Sequence, residues 1–336
     1  MAHLFLLAFV VTALLIFLGL KLNLGRWFLD VPNQRSLHSQ PTPRFGGSIL
    51  MMVTLIIAML YVLPIQSASL IIFLSALCLV ILGTLDDRYS LPASTRLIIQ
   101  LISAMICLTQ LPLNALPPGS SLIGTLLLVI ITAWSANLFN FMDGLDGLAG
   151  SMAAIGFTGY ALLLVQLPPT PWAQALLMLC LIIIGSTAGF LLFNRPQATI
   201  FMGDAGSITL GFLAAIVGIL GYKLNFWSWR TPCLLFWPFI FDSSYTLIKR
   251  IARGEKIWQA HRQHVFQRMI LAGLDKRLVL GLHLIYMLLC LGLALYLESQ
   301  VILSDFLIMG ILVIVSITLC NSLLKKLNAA SKNYVA

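Results

Sequence analysis

Apolar runs of about 20 residues recur from one end of this 336-residue chain to the other, and they fix what it can fold into. Candidate runs lie near residues 3–22, 46–66, 68–85, 96–111, 121–139, 148–167, 172–193, 206–222, 231–249, 278–298 and 301–323. A hydrocarbon core about 30 Å thick is crossed by about 20 helical residues, and a spanning helix satisfies its own backbone polar groups. The expectation is therefore an all-α, polytopic membrane protein of about eleven spans, forming a single membrane-embedded domain over 1–336. Hydrophobic residues make up 60% of the chain and charged residues only 9%, which excludes an ordinary soluble domain. There is no tandem repeat and no low-complexity tract.

The first run has no Lys or Arg ahead of it and carries Lys21 and Arg26 after it, the reverse of a secretory signal peptide. An outside (periplasmic) N-terminus then puts alternate connections in the cytoplasm. On that arrangement every basic residue of the connections lies inside except Lys223 and Arg230, and the C-terminus, with Lys325, Lys326 and Lys332, is cytoplasmic. The net charge of +9 thus follows from topology, and no nucleic-acid partner is expected. All six cysteines fall inside apolar runs with no metal-ligand spacing, so neither disulfides nor zinc are expected.

The acids collect on the same inner side, and topology does not account for that. "LGTLDDRYS" ends the third run with Asp86 and Asp87 at a helix C-terminus, where two carboxylates repel each other and face the negative dipole end unless Arg88 or Mg²⁺ compensates. "NLFNFMDGLDG" sets Asn137, Asn140, Asp143 and Asp146 at three-residue intervals. Asn137 and Asn140 share a helix face, and Gly144 and Gly147 let the backbone turn so that all four side chains converge; a self-satisfied polar turn is the alternative. In "FNRPQATIFMGDAGS", Asp204 precedes a helix start, as an N-cap or as a carboxylate beside a phosphate-binding helix end. The loop "KRIARGEKIWQAHRQHVFQRMILAGLDKR" reads as an interfacial amphipathic helix over 253–272, with His261, His264 and Arg268 on one stripe and Trp258, Val265 and Met269 on another. That basic stripe suits anionic headgroups or an anionic substrate. The first inner loop carries Arg35, His38 and Arg44, to which the sequence assigns no role.

Together, "DVPNQRSLHSQPTPRFGG", "LGTLDDR", "NLFNFMDGLDGLAG" and "FNRPQATIFMGDAGS" resemble, in order and on one face, the polyprenyl-phosphate N-acetylhexosamine-1-phosphate transferases (the MraY/WecA family, of glycosyltransferase 4 type). The resemblance covers roughly residues 25 to 275. It implies transfer of a sugar 1-phosphate from a UDP-N-acetylhexosamine to undecaprenyl phosphate with Mg²⁺ (or Mn²⁺), releasing UMP. The expected location is the bacterial inner membrane, with the active site facing the cytoplasm, and a homodimer is compatible with it. By motif match Asp204 would be the metal ligand and Asp86 and Asp87 the paired acids near the reacting phosphates. Asn137, Asn140, Asp143, Asp146, His264 and Arg268 are the substrate-binding candidates.

Two departures narrow the branch. The peptidoglycan branch carries a Lys shortly after its paired acids, and "DDRYS" has none. Many members carry a run close to "RQHxHH", where this chain reads "RQHVFQ", with Phe266 and Gln267 in place of the later histidines. The pattern is closest to the O-antigen-initiating branch of lipopolysaccharide biosynthesis. A secondary transporter is the alternative class, but transporters bind near the bilayer midplane between symmetric halves, whereas these acids sit at span ends and only Asp242 reads as deep.

Overall fold

The computed structural model describes residues 1–32, 40–111, 122–256, 259, 261–300 and 305–333. Arg35, His38 and Trp258 lie outside the described residues. Eight described helices are long and apolar enough to cross a membrane: α1 (Ala2–Lys21), α3 (Leu70–Tyr89), α4 (Ala93–Gln110), α5 (Leu122–Met142), α7 (Pro171–Asn194), α8 (Gly203–Lys223), α12 (Lys276–Glu298) and the first 19 residues of α13 (Asp305–Asn333). The expected second and sixth spans are shorter apolar helices, α2 (Gly46–Tyr61) and α6 (Leu148–Leu164).

The expected ninth span is broken. It divides into α9 (Arg230–Leu235) and α10 (Trp237–Ala252) at Phe236, whose backbone (φ −107°, ψ 14°) leaves the helical region. Pro238 explains the break, because it has no N–H to give to Leu234 and its ring crowds that carbonyl. Among the described residues, the eleven expected places thus hold eight helices long and apolar enough to span, two shorter apolar helices and one interrupted helix.

Helix ends follow local chemistry. Thr170 accepts the Ala173 N–H at 3.1 Å and Pro171 opens α7, while Asp275 accepts the N–H groups of Arg277 and Leu278 at the start of α12. Strands β1 (Leu29–Asp30) and β2 (Thr42–Pro43) form one antiparallel pair beside the start of α2.

The arrangement centres on α8, 89% of whose spanning window is buried against 11% for α13. Helices α2, α3 and α5 pack directly on α8, α4 rests on α3 and α5, and α7 holds α1, α2 and α6. Contact with α8 is close because small residues allow it. A Cβ on Gly83 would lie 2.3 Å from the Ala205 nitrogen, and one on Gly47 would lie 2.4 Å from the Met202 carbonyl oxygen. Backbones thus meet with no side chain between them, as in other small-residue helix contacts in membranes. At the opposite end of the bundle, Arg230 pairs with Asp305 and donates to the Leu297 carbonyl, while Glu298 accepts from Ser228 and Thr231. That network ties α9 to α12 and α13.

Candidate active site

The third helix stops at Tyr89 because Ser90 takes a left-handed backbone (φ 52°), and the chain turns at once into α4. Asp86 holds the turn by accepting the Leu91 N–H at 2.6 Å. Across it, Arg96 in the first turn of α4 donates to Asp86 Oδ2 at 2.9 Å and, from the same Nη1, to Asp204 Oδ2 at 2.8 Å. The compensating cation is therefore Arg96, which the sequence did not single out. Arg88 instead lies over the rings of Trp27 and Tyr89, at 5.8 and 5.4 Å from their centroids.

Asp87 does a different job. Its side chain is only 1% exposed and accepts the N–H groups of Asp204 (3.1 Å) and Ala205 (3.4 Å), the free donors at the start of α8. Gly203 makes this approach possible, since its φ is +70° and a Cβ there would meet Asp87 Oδ2 at 2.5 Å. Arg44, paired with Asp30 at 2.6 Å, approaches Asp87 at 3.6 Å. The cap of α8 is thus supplied from α3, and the N-cap alternative for Asp204 does not hold. The Asp204 carboxylate turns inward, where Oδ1 accepts from Asn140 Nδ2 at 2.8 Å. Asn140 also reaches Ser207 Oγ at 3.2 Å.

The four residues at three-residue stride separate. Asn140 joins Asp204, whereas Asn137 donates to Gln100 Oε1 at 2.6 Å and to the Ala133 carbonyl at 2.7 Å, within the α4–α5 contact. Asp146 accepts the N–H groups of Gln197 and Ala198, both at 3.2 Å. It lines a cleft of about 910 Å³ with Gln40, Thr42, Phe201, Lys276 and Arg277. Asp143 has no hydrogen bond or ion pair to its carboxylate among the described residues. Burial, followed by the charges of Asp204, Asp87 and Asp146, holds its carboxyl well above the ordinary range.

No three His, Cys, Asp or Glu side chains among the described residues form a ready-made metal cage. Mg²⁺ does not need one, since it keeps several waters and takes one or two carboxylates plus substrate phosphates. Asp143, unpartnered among the described residues and within electrostatic reach of Asp204, makes with it a donor set of the right kind.

This strain has a consequence for pH. A carboxyl whose folded pKa exceeds its unfolded value adds stability below the unfolded range and loses it as pH rises through the folded value. Without divalent cations the protein is expected to lose thermal stability as pH climbs above about 4, the unfolded Asp value, and Asp143→Asn should flatten that slope. Thermal unfolding in chelator across pH measures this, and parallel slopes for the two proteins would absolve Asp143.

The glycosyl transferase family 4 model matches residues 69–222, which span α3 to α8 and contain Asp86, Asp87, Asn140, Asp143 and Asp204. A probable undecaprenyl-phosphate N-acetylglucosaminyl 1-phosphate transferase of Bacillus subtilis is 31% identical over 297 residues, covering 85% of this chain and 82% of the relative. The chain belongs to glycosyl transferase family 4. A decaprenyl-phosphate N-acetylglucosaminephosphotransferase of Mycobacterium leprae is 26% identical over 74% of this chain and 71% of its own. A phospho-N-acetylmuramoyl-pentapeptide-transferase of Acaryochloris marina is 37% identical over 56% of this chain and 55% of its own. As an integral-membrane transferase of family 4, the chain is an enzyme, and the transporter reading falls away.

In this family 4 enzyme the late loop is not the helix expected over 253–272. Helix α11 covers only Val265–Leu271. It starts late because Asp242 of α10 accepts the N–H groups of Val265 (2.9 Å) and Phe266 (3.4 Å), and because the Gln267 side chain accepts the His264 N–H at 3.3 Å. His261 therefore precedes the helix, and although its ring lies 5.0 Å from that of His264, the two do not form a helical stripe with Arg268. Burial, with His264 and Arg250 beside it, pushes His261 down to about 4, so it is uncharged at neutral pH. Arg268 lies on the α10 side, within electrostatic reach of Tyr245 and Lys249. Phe266, fully buried, packs beside Gly144 of the "DGLDG" turn, where a Cβ would sit 3.1 Å from its ring. The two residues that replace family histidines have thus become packing and capping groups.

Proposed function

We propose that the enzyme transfers an N-acetylhexosamine 1-phosphate from a UDP-sugar to undecaprenyl phosphate on the cytoplasmic face of a bacterial inner membrane. The observation that carries this reading is the chain of contacts Asp86–Arg96–Asp204–Asn140, from α3, α4, α8 and α5, with Asp143 unpartnered among the described residues and within electrostatic reach of Asp204. The relatives named for undecaprenyl- and decaprenyl-phosphate N-acetylglucosamine transfer support the acceptor and donor classes. The missing Lys after "DDRYS" favours a UDP-N-acetylhexosamine over the peptide-bearing donor and supports a role in starting O-antigen or a related surface polysaccharide.

In this reading an oxygen of the lipid phosphate attacks the phosphorus that bears the sugar. The bond from that phosphorus to the bridging oxygen breaks, and UMP leaves with the electron pair. A phosphomonoester with a second pKa of about 6 is already ionised near neutrality, so no strong base is required. Asp86, fastened by Arg96 and the Leu91 N–H, keeps Arg96 in place and excludes a second orientation. Arg96 and Asn140 supply fixed donors near the diphosphate, which is where phosphoryl transfer gains most from the protein. Asp204 and Asp143 would hold Mg²⁺, which supplies neutralisation of charge on the transferring group. The cleft at Asp146 offers the Phe201 ring to a base and Lys276 and Arg277 to phosphates, and it adjoins Asp143 through Asp146.

The test is incubation of purified protein with undecaprenyl phosphate and a panel of UDP-N-acetylhexosamines, read as UMP release. The expected result is release with at least one donor, abolished by chelator and restored by Mg²⁺. Absence of UMP with every donor in the panel would defeat the reading.

A further inference from the structure

The chain leaves α1 at Lys21 and passes through a short 3₁₀ turn, Leu24–Trp27, that sets the Trp27 ring beside the end of α3. Two guanidinium groups lie over that ring, Arg26 at 5.1 Å and Arg88 at 5.8 Å from its centroid. Neither arginine side chain, nor that of Lys21, has a hydrogen bond or ion pair among the described residues. The acids nearest in sequence are committed elsewhere: Asp30 to Arg44, Asp86 to Arg96 and Asp87 to the start of α8. Like charges gathered on one ring without a counter-ion repel each other, and an anion between them would offset that cost. A guanidinium held by a ring face uses no N–H donor for the contact, so both keep their donors for a phosphate. The patch is open, with Trp27 57% and Tyr89 62% exposed and the apolar side chains of Leu22 and Leu24 exposed beside them. At the ends of two helices long enough to span, exposed rings and cations have the composition of the headgroup layer.

We propose that Arg26, Trp27 and Arg88 form a binding site for the headgroup of an anionic phospholipid, with Lys21 and Tyr89 at its edge. The occupant is a bilayer lipid and not the phosphate acceptor, because the carboxylates of the candidate active site turn away from Arg88, inward to Arg96 and α8. Lipid binding at this patch is independent of which sugar the enzyme transfers.

The test is a lipid titration of the intact enzyme in neutral detergent, with the first bound phosphatidylglycerol or phosphatidylcholine counted by native mass spectrometry. Wild-type protein is expected to hold phosphatidylglycerol at least about tenfold more tightly. Arg26→Gln combined with Arg88→Gln should weaken phosphatidylglycerol binding by about 25-fold, at about fivefold per cation, and leave phosphatidylcholine unchanged. Trp27→Leu keeps the apolar contact and removes the ring, so a loss of about two- to fivefold is expected. Lys256→Gln combined with Lys325→Gln removes the same charge from two exposed sites on the expected inner side and is the control. An equal loss in this control would show that total charge holds the lipid. Unchanged binding in the double arginine variant would place the lipid elsewhere on the protein. Displacement of bound phosphatidylglycerol by an equal amount of undecaprenyl phosphate would assign the patch to the acceptor. Each of these three results, like the absence of any preference in the wild type, overturns the proposal.

Discussion

Asp204→Asn is expected to lower UMP release by about a thousandfold while the protein stays folded. The carboxylate joins Arg96 of α4 to Asn140 of α5 at 2.8 Å on each side, and in the proposed reading it would be one of two carboxylates that hold a divalent cation. An amide in its place keeps one acceptor for Asn140 but turns an NH₂ group towards Arg96 or loses that contact, and it removes the negative charge that would hold a hard cation. The fold should tolerate the change because the start of α8 is held by Asp87, whose contacts are to backbone N–H groups that the substitution leaves in place. Turnover titrated with Mg²⁺, alongside thermal unfolding in the same detergent, reads both halves. Activity within a few-fold of wild type would return Asp204 to a structural role.

Gly83→Ala is the second large effect, and here folding and activity should fall together. The added methyl would lie 2.3 Å from the Ala205 nitrogen and 2.5 Å from the Asp204 carbonyl carbon, both main-chain atoms that cannot rotate aside. Helices α3 and α8 must part by roughly 1 Å, a distance at which misplaced groups cost about a hundredfold in rate, and overpacking of this kind costs about 1–3 kcal/mol. Asp86 and Asp87 ride on one helix and Asp204 on the other, so the separation opens the site itself. Gly292→Ala, where no atom lies within 4 Å, is the control and should leave both measurements unchanged. Equal behaviour of the two variants would mean that α3 and α8 are not tightly apposed in the membrane.

The helices were legible in the sequence because hydrophobic length is a local property, and so was the gathering of acids, because each motif carries its own punctuation. What each acid does was not. Arg96 meets Asp204 across 108 residues, and nothing near "ASTRL" announces that its cation serves a loop on the far side of the bundle. Asp87 looked like half of a repelling pair, yet the cost of placing it at one helix's C-terminus is offset by the N–H groups of another helix's start. Asn137 and Asn140 share a face by spacing, but the 60° between them is enough to send one to Gln100 and the other to Asp204. The long amphipathic helix failed because periodicity cannot see a carboxylate arriving from α10 to start the helix at Val265.

The backbone contact of α3 and α2 with α8 also bears on how this enzyme meets its lipid surroundings. Side-chain packing yields to lateral pressure and to changes of bilayer thickness, since rotamers shift and helices tilt to follow the hydrocarbon. Main chains already touching at Gly83 and Gly47 have no such slack. Tilting of the outer helices, α13 above all, is therefore taken up at the rim, while the spacing of the acids stays fixed by atomic radii. An enzyme built this way keeps its reacting geometry when a cell alters its membrane lipids, and changes in rate with lipid composition then report how the long-chain acceptor enters, not how the site is assembled.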